Sequence, residues 1–225
     1  DIESIKVFQA DHAPQQVTLQ VAGEEKVEPL KKAVQSLPSS TVKLSPQKIA
    51  YNTIQTENKK IRNKKVQIHR LSIPRGETFK VVLSDGTEVL LNSDSRLSYP
   101  TVFKGKERVV SLEGEAYFQV VHNEDAPFIV KTSQMAIKVL GTEFNVSAYA
   151  EDSVIRTTLV RGSVKISSEV SGESVVLHPG EQSALNRGDH SMLVSEVDVS
   201  YAMAWKEGRL RFKEKPLKEV MKIIS

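Results

Sequence analysis

The sequence predicts a mainly β protein: a multi-stranded antiparallel sandwich or solenoid-like β domain over residues 1–198, followed over residues 199–225 by the beginning of a small α/β domain. Three observations carry that reading. Apolar and polar residues alternate with a period of two from Val66 onward, and glycine and proline turn signals recur at short intervals. Near Val199 the alternation gives way to helical spacing.

Residues 1–65 alternate only in places, at Ile5 and Val7 and then at Val17, Leu19 and Val21. Gly23-Glu24-Glu25 interrupts that second run like a hairpin loop. Pro29, Pro38 and Pro46 forbid a long helix, although Leu30 to Leu37 can form two turns of one. The run Lys59-Lys60-Ile61-Arg62-Asn63-Lys64-Lys65 reads as a solvated linker. A lipid-facing patch would need an apolar face beside the charges, and none accompanies them.

From Val66 the strand signal is strong. Asp85-Gly86 reads as a two-residue turn, both types tolerating the positive φ that such a turn needs. That register sets Val82 opposite Val89 and Val81 opposite Leu90. In the next run Val110, Leu112, Gly114, Ala116, Phe118 and Val120 share one face, with Ser111, Glu113, Glu115 and Gln119 on the other. This is how a strand with one buried face reads.

Further strands are predicted over 128–131, 135–140, 144–149, 154–160, 164–166, 175–177 and 182–185, with turns at Gly141, Gly162, Gly172 and Pro179-Gly180. Ser200 is then placed to cap a short helix through Trp205, and residues 208–212 read as a strand. Pro216 suits the first position of a helix. Leu217, Val220, Met221 and Ile224 follow at the spacing of one helical face. With Trp205, Leu210 and Phe212 they form a candidate surface for a partner or a domain junction.

Chemistry is sparse. The 31 basic and 28 acidic residues leave a net charge of only +3, which gives no argument for a nucleic-acid partner. No cysteine is present, so disulfides and thiolate metal sites are excluded. His12, His69, His122, His178 and His190 show none of the close spacings of metal ligands, and each reads as a structural histidine. Glu113 and Glu115 flank Gly114 on one strand, whereas glycosidase carboxylates come from separate elements. His178-Pro179-Gly180-Glu181 is a cupin-like turn without the partner histidines a metal would need. There is no nucleophile elbow and no phosphate loop. The expectation is a non-enzyme without cofactor or metal.

Several blocks together resemble the FecR family of anti-sigma factors. Leu83-Ser84-Asp85-Gly86-Thr87-Glu88-Val89-Leu90-Leu91-Asn92 is similar to the family's L-P-D-G-T-x-V-x-L-N block, with Ser84 in place of proline and Leu90 where tryptophan is common. Ser95-Arg96-Leu97-Ser98-Tyr99-Pro100 and the run from Arg108 through Gly114-Glu115-Ala116-Tyr117-Phe118 continue the resemblance. So do Val139-Leu140-Gly141-Thr142-Glu143-Phe144-Asn145, Thr157 to Val164, Leu177-His178-Pro179-Gly180-Glu181-Gln182, and Trp205 to Phe212 with Pro216-Leu217. The resemblance covers Val66 to Ser225, and residues 1–65 follow only by position, as a juxtamembrane β segment. Most residues involved are turn or core residues.

The resemblance implies the periplasmic sensor of a single-pass inner-membrane protein. Such a protein relays the state of a TonB-dependent outer-membrane transporter, read through that transporter's N-terminal signalling domain. The receiver is an extracytoplasmic-function sigma factor, held by a cytoplasmic segment. On this reading that segment and the membrane helix lie upstream of Asp1. The C-terminal domain, similar to the short N-terminal domain of secretins and TonB-dependent receptors, begins within residues 199–225. The competing class is a carbohydrate- or ligand-binding β module without signalling role, with a cupin-like metalloenzyme third. One Trp, five Tyr and seven Phe make poor material for a sugar cleft.

Overall fold

The structure is a computed structural model and describes residues 15–22, 26–36, 42–51 and 66–208. The predicted strand at Ile5 and Val7, the Gly23-Glu24-Glu25 loop and the basic linker lie outside the described residues. So do Leu210, Phe212, Leu217, Val220, Met221 and Ile224.

The chain lays hairpins alternately into two sheets. In the first sheet β1 (Thr18–Val21) pairs with β2 (Val27–Pro29), and α1 (Leu30–Ser36) follows. The second sheet receives β3 (Val42–Ser45) and β4 (Lys48–Tyr51). Then β5 (Ile68–Ser72) returns to the first, paired with β1. The hairpin of β6 (Phe79–Val82) and β7 (Glu88–Leu91) joins the second, and β8 (Arg96–Pro100) pairs with β5 in the first.

The long β9 (Arg108–Gln119) belongs to both sheets. Its first half pairs with β8 and, in parallel, with β10 (Phe128–Lys131). Its second half pairs with β7 and with β12 (Glu143–Ala148). After β9 the alternation resumes. β11 (Met135–Val139), β14 (Val164–Ser168) and β15 (Ser174–Leu177) extend the first sheet. β13 (Val154–Arg161), β16 (Glu181–Asn186) and β17 (Met192–Glu196) extend the second.

Sandwich and solenoid are therefore both fair descriptions. Strand order advances with chain order in each sheet, except that β2 lies at the edge outside β1, and side chains of both inner faces merge into one core. The antiparallel expectation needs one correction. Two pairings are parallel, β4 with β6 and β9 with β10, because the strands there are joined by crossovers rather than hairpin turns.

The alternation in β9 holds: Val110, Leu112, Ala116 and Phe118 are buried, and Val120 just beyond the strand is too. Inner rings pack in the core: Phe118 is tilted against Phe128 of the other layer at 6.2 Å, and it stacks on its cross-strand neighbour Phe144 at 5.0 Å between ring centroids. α1 matches the two helical turns read at Leu30, and its Leu30 and Ala33 are buried.

The β6–β7 register is corrected by one residue. Val81 faces Val89 and Val82 faces Glu88. The loop has three residues, Ser84-Asp85-Gly86, closed by Leu83 N–H to Thr87 O and Gly86 N–H to Leu83 O, both 2.9 Å. Gly86 at φ 87° takes the left-handed position that ends such a loop. The shift puts Val81, Leu83, Val89 and Leu91 together in the core, none of them exposed.

Candidate functional site

The candidate site is the outer face of the second sheet, where the segment after β17 lies. α2 (Val199–Met203) starts there, and its N-cap is Asp198 rather than Ser200. The Asp198 carboxylate accepts from the Ser200 N–H at 2.9 Å. An aspartate caps at least as well as serine, and this one stands two residues earlier. A 3-10 turn (Ala204–Glu207) continues the segment and ends at Gly208, whose φ is 67°. None of the α2 side chains is buried, and Ala204 is the buried residue of the 3-10 turn.

Trp205 and Lys206 attach this segment to the sheet. Trp205 donates its indole N–H to Asn145 Oδ1 on β12 at 3.3 Å. Lys206 Nζ sits 3.4 Å from the ring centroid of Tyr117 on β9. Tyr117 and Asn145 are directly paired across β9 and β12, which is why neighbouring residues of the segment can engage both. Tyr117 Oη donates to Glu143 Oε2 at 2.8 Å, and Arg161 meets Glu143 Oε1 at 2.6 Å. Burial, then the Glu143 carboxylate, pushes the Tyr117 phenol well up. Burial also draws the Lys206 ammonium down, with Glu143 opposing.

A polar network runs along that face from there. Asn145, nearly fully buried, donates through Nδ2 to Glu115 Oε1 at 2.9 Å, and Asn92 donates to Glu115 Oε2 at 2.8 Å. The Glu115 N–H donates to Ser95 Oγ at 2.8 Å. Glu115 directly follows Gly114, the point where β9 leaves one sheet for the other. Gly114 has φ 91°, and a Cβ there would lie 2.7 Å from Ser95 Cα, so only glycine fits the crossing. The two flanking glutamates thus serve different partners. Glu113 pairs with Arg96 at 2.6 Å and Glu115 with the two asparagines, so they form no paired-carboxylate site.

The remaining motif residues build struts. Asp85 accepts from Thr87 N–H at 3.0 Å, from Thr87 Oγ1 at 2.8 Å and from Arg108 Nη1 at 2.7 Å. Arg108, 3 % exposed, also donates to the carbonyls of Ala126 and Val121. It ties the Asp85 loop to the end of β9 and the turn before β10. Thr142 Oγ1 donates to Ser163 O at 2.9 Å, and Gly141 lies so close to His122 that a Cβ would sit 2.6 Å from its Cα. Phe144 is core. In the Pro179-Gly180 turn, Glu181 accepts from the His178 N–H at 2.7 Å, which holds its carboxyl below the usual range. That use turns Glu181 toward the backbone. Among the described residues no three His, Asp or Glu side chains are grouped as metal ligands.

The sequence reading missed this network. Trp205, Glu115 and Asn145 were singled out separately, and nothing local in the chain links positions 60 residues apart. It also missed a second polar cluster at the other end of the sandwich. There Tyr51 Oη lies 2.6 Å from His69 Nδ1 and 3.0 Å from Tyr99 Oη, all three buried. Burial pulls His69 down to about 4.

Comparison with known proteins places this architecture. The family model described as FecR protein matches residues 69–165. Two crystal structures from Parabacteroides distasonis, of a protein assigned as an anti-sigma factor, are each 37% identical to this chain. They cover 69% of this chain and 72% of their own, with a TM-score of 0.65. No curated protein matches.

Proposed function

The chain belongs to the FecR family of anti-sigma factors, and from that premise we propose that it is the periplasmic sensor of a membrane-anchored member. It relays the state of a TonB-dependent outer-membrane transporter to an extracytoplasmic-function sigma factor. Its kind is regulatory rather than catalytic. No helix among the described residues is long and apolar enough to cross a membrane.

The observation that carries this reading is the attachment of the 199–207 segment to the body by Trp205 and Lys206. Among the described residues of the strand body, the motif residues Asp85, Arg108, Glu115 and Asn145 spend hydrogen bonds within the protein, on one another, on backbone and on Thr87, Asn92 and Trp205. We read the segment that leaves the body as the feature that meets a partner. We assign the start of a docking domain to residues 199–225, with Leu210, Phe212, Leu217, Val220, Met221 and Ile224 as its apolar residues.

The test is capture by the N-terminal signalling domain of a candidate transporter. The full periplasmic region should be retained, and the same protein carrying Leu217→Asp should be lost. Retention that is unchanged when everything after Val199 is removed would place the docking surface on the strand body and overturn the assignment.

A further inference from the structure

The 199–207 segment is held in a way that invites release. Ala204 is its one fully buried side chain, and Val199, Ala202, Met203 and Trp205 are half-buried. Its polar attachments to the sheet include a hydrogen bond at the long end of the usual range and a cation over an aromatic face. A segment whose apolar side chains are mostly half-buried opens more readily than the strands beneath it, whose inner side chains are fully buried. Its anchor, however, is not an isolated surface group. Asn145 has one accepting and one donating end, and both are used: the oxygen takes the Trp205 N–H, and the amide N–H is given to Glu115.

The network is thereby directional. Trp205 donates to Asn145, Asn145 donates to Glu115, and the backbone N–H of Glu115 is fixed by Ser95 at the crossing of β9. Hydrogen bonds in such a chain polarise one another, more so where water is excluded. When the segment leaves, the Asn145 oxygen loses its donor and its amide N–H becomes a weaker donor to Glu115. The loosening falls on the residue next to Gly114, where the two sheets share one strand.

We propose that residues Val199–Glu207 form a releasable strap, and that its state is communicated through Asn145 and Glu115 to the Gly114 crossing that joins the two sheets. This coupling belongs to the chain alone and holds whichever partner engages the strap. A failed test of it and a failed capture experiment are therefore separate outcomes.

Trp205 is the single tryptophan of the chain, so its emission reports on the strap alone. In a urea titration of the unmodified chain, tryptophan emission should change at lower denaturant than far-UV circular dichroism. Coupling is read by hydrogen exchange. In Trp205→Phe, which keeps an aromatic ring but removes the donor, exchange of the Glu115 amide should rise by about tenfold, within the ordinary range for coupled sites. Lys206→Ala, which loosens the strap without touching Asn145, should raise it too. By reciprocity Glu115→Gln should red-shift native Trp205 emission with the β spectrum unchanged. Should that variant not fold, the unmodified chain and Lys206→Ala decide the matter. Coincident emission and dichroism transitions would overturn the strap. Unchanged exchange at Glu115, with faster exchange in residues 199–207, would overturn the coupling.

Discussion

Two segments flank the strand body and are attached in opposite ways. The β3–β4 hairpin, near the beginning, drives Ile49 and Tyr51 into the shared core, where they are 0% and 3% exposed. The segment after β17, near the end, lies on the outside of the same sheet and buries none of its α2 side chains. Tyr51 reaches across to His69 and Tyr99 on the first sheet, so the hairpin locks both layers. Trp205 and Lys206 touch only one layer from outside. The lesson is that position on the chain says little about permanence. Burial of apolar area sets it, at roughly 25 cal/mol per Å², and the strap, with Val199, Ala202, Met203 and Trp205 only half-buried, has less of it than the hairpin.

The largest expected effect breaks the hairpin. Tyr51→Ala removes a buried aromatic ring and its hydrogen bonds, so it should cost about 3–5 kcal/mol in a urea melt. A loss under about 1 kcal/mol would mean that the hairpin is no better fastened than the strap.

Next comes acid. His69 is buried and neutral, and its folded-state value of about 4 lies below the ordinary one of 6.5. A lowered value means the unfolded chain takes the proton more readily. The contribution of His69 is therefore complete above pH ~6.5 and disappears as pH falls toward ~4, a total of about 3 kcal/mol. Stability measured against pH for the protein and for His69→Gln should diverge across that window. Parallel curves would show that His69 does not titrate into the fold.

Tyr51→Phe keeps the ring and removes the hydroxyl, leaving His69 Nδ1 and Tyr99 Oη without this partner. It should cost about 1–3 kcal/mol. Lys206→Ala should cost only about 0.5–1 kcal/mol, the size of one cation–aromatic contact near the surface. A larger loss from Lys206→Ala than from Tyr51→Phe would reverse the comparison.

The strands were legible because burial writes itself into alternation. The Val110 to Val120 face and the strands from Phe128 to Leu185 could be read within a residue or two, and the short helix at Leu30 fits between prolines that forbid a longer one. β17 was not read, since Met192-Leu193-Val194-Ser195-Glu196 is an edge strand with four exposed residues and no clean alternation. The slip at Asp85-Gly86 has a similar cause. The dipeptide fits loops of two or three residues, and the choice lies in the Asp85 contact with Arg108 and in which valines the core accepts. At the candidate site Trp205, Glu115 and Asn145 were each visible, but their joining depends on β9, β12 and the strap meeting in space. Arg108 and the Tyr51–His69–Tyr99 cluster were hidden for the same reason, their partners being distant in sequence.

Hydrogen exchange on the unmodified chain tests the comparison most directly. The strap has its own reporter amides, Tyr201 N–H bonded to Asp198 O and Gly208 N–H bonded to Trp205 O. The hairpin has Ile49 and Tyr51 in the β3–β4 ladder. Amides of the hairpin should exchange only with global unfolding, and amides of the strap should exchange through local opening while the strands stay protected. Equal protection at the two places would contradict the account and make the strap a fixed part of the body.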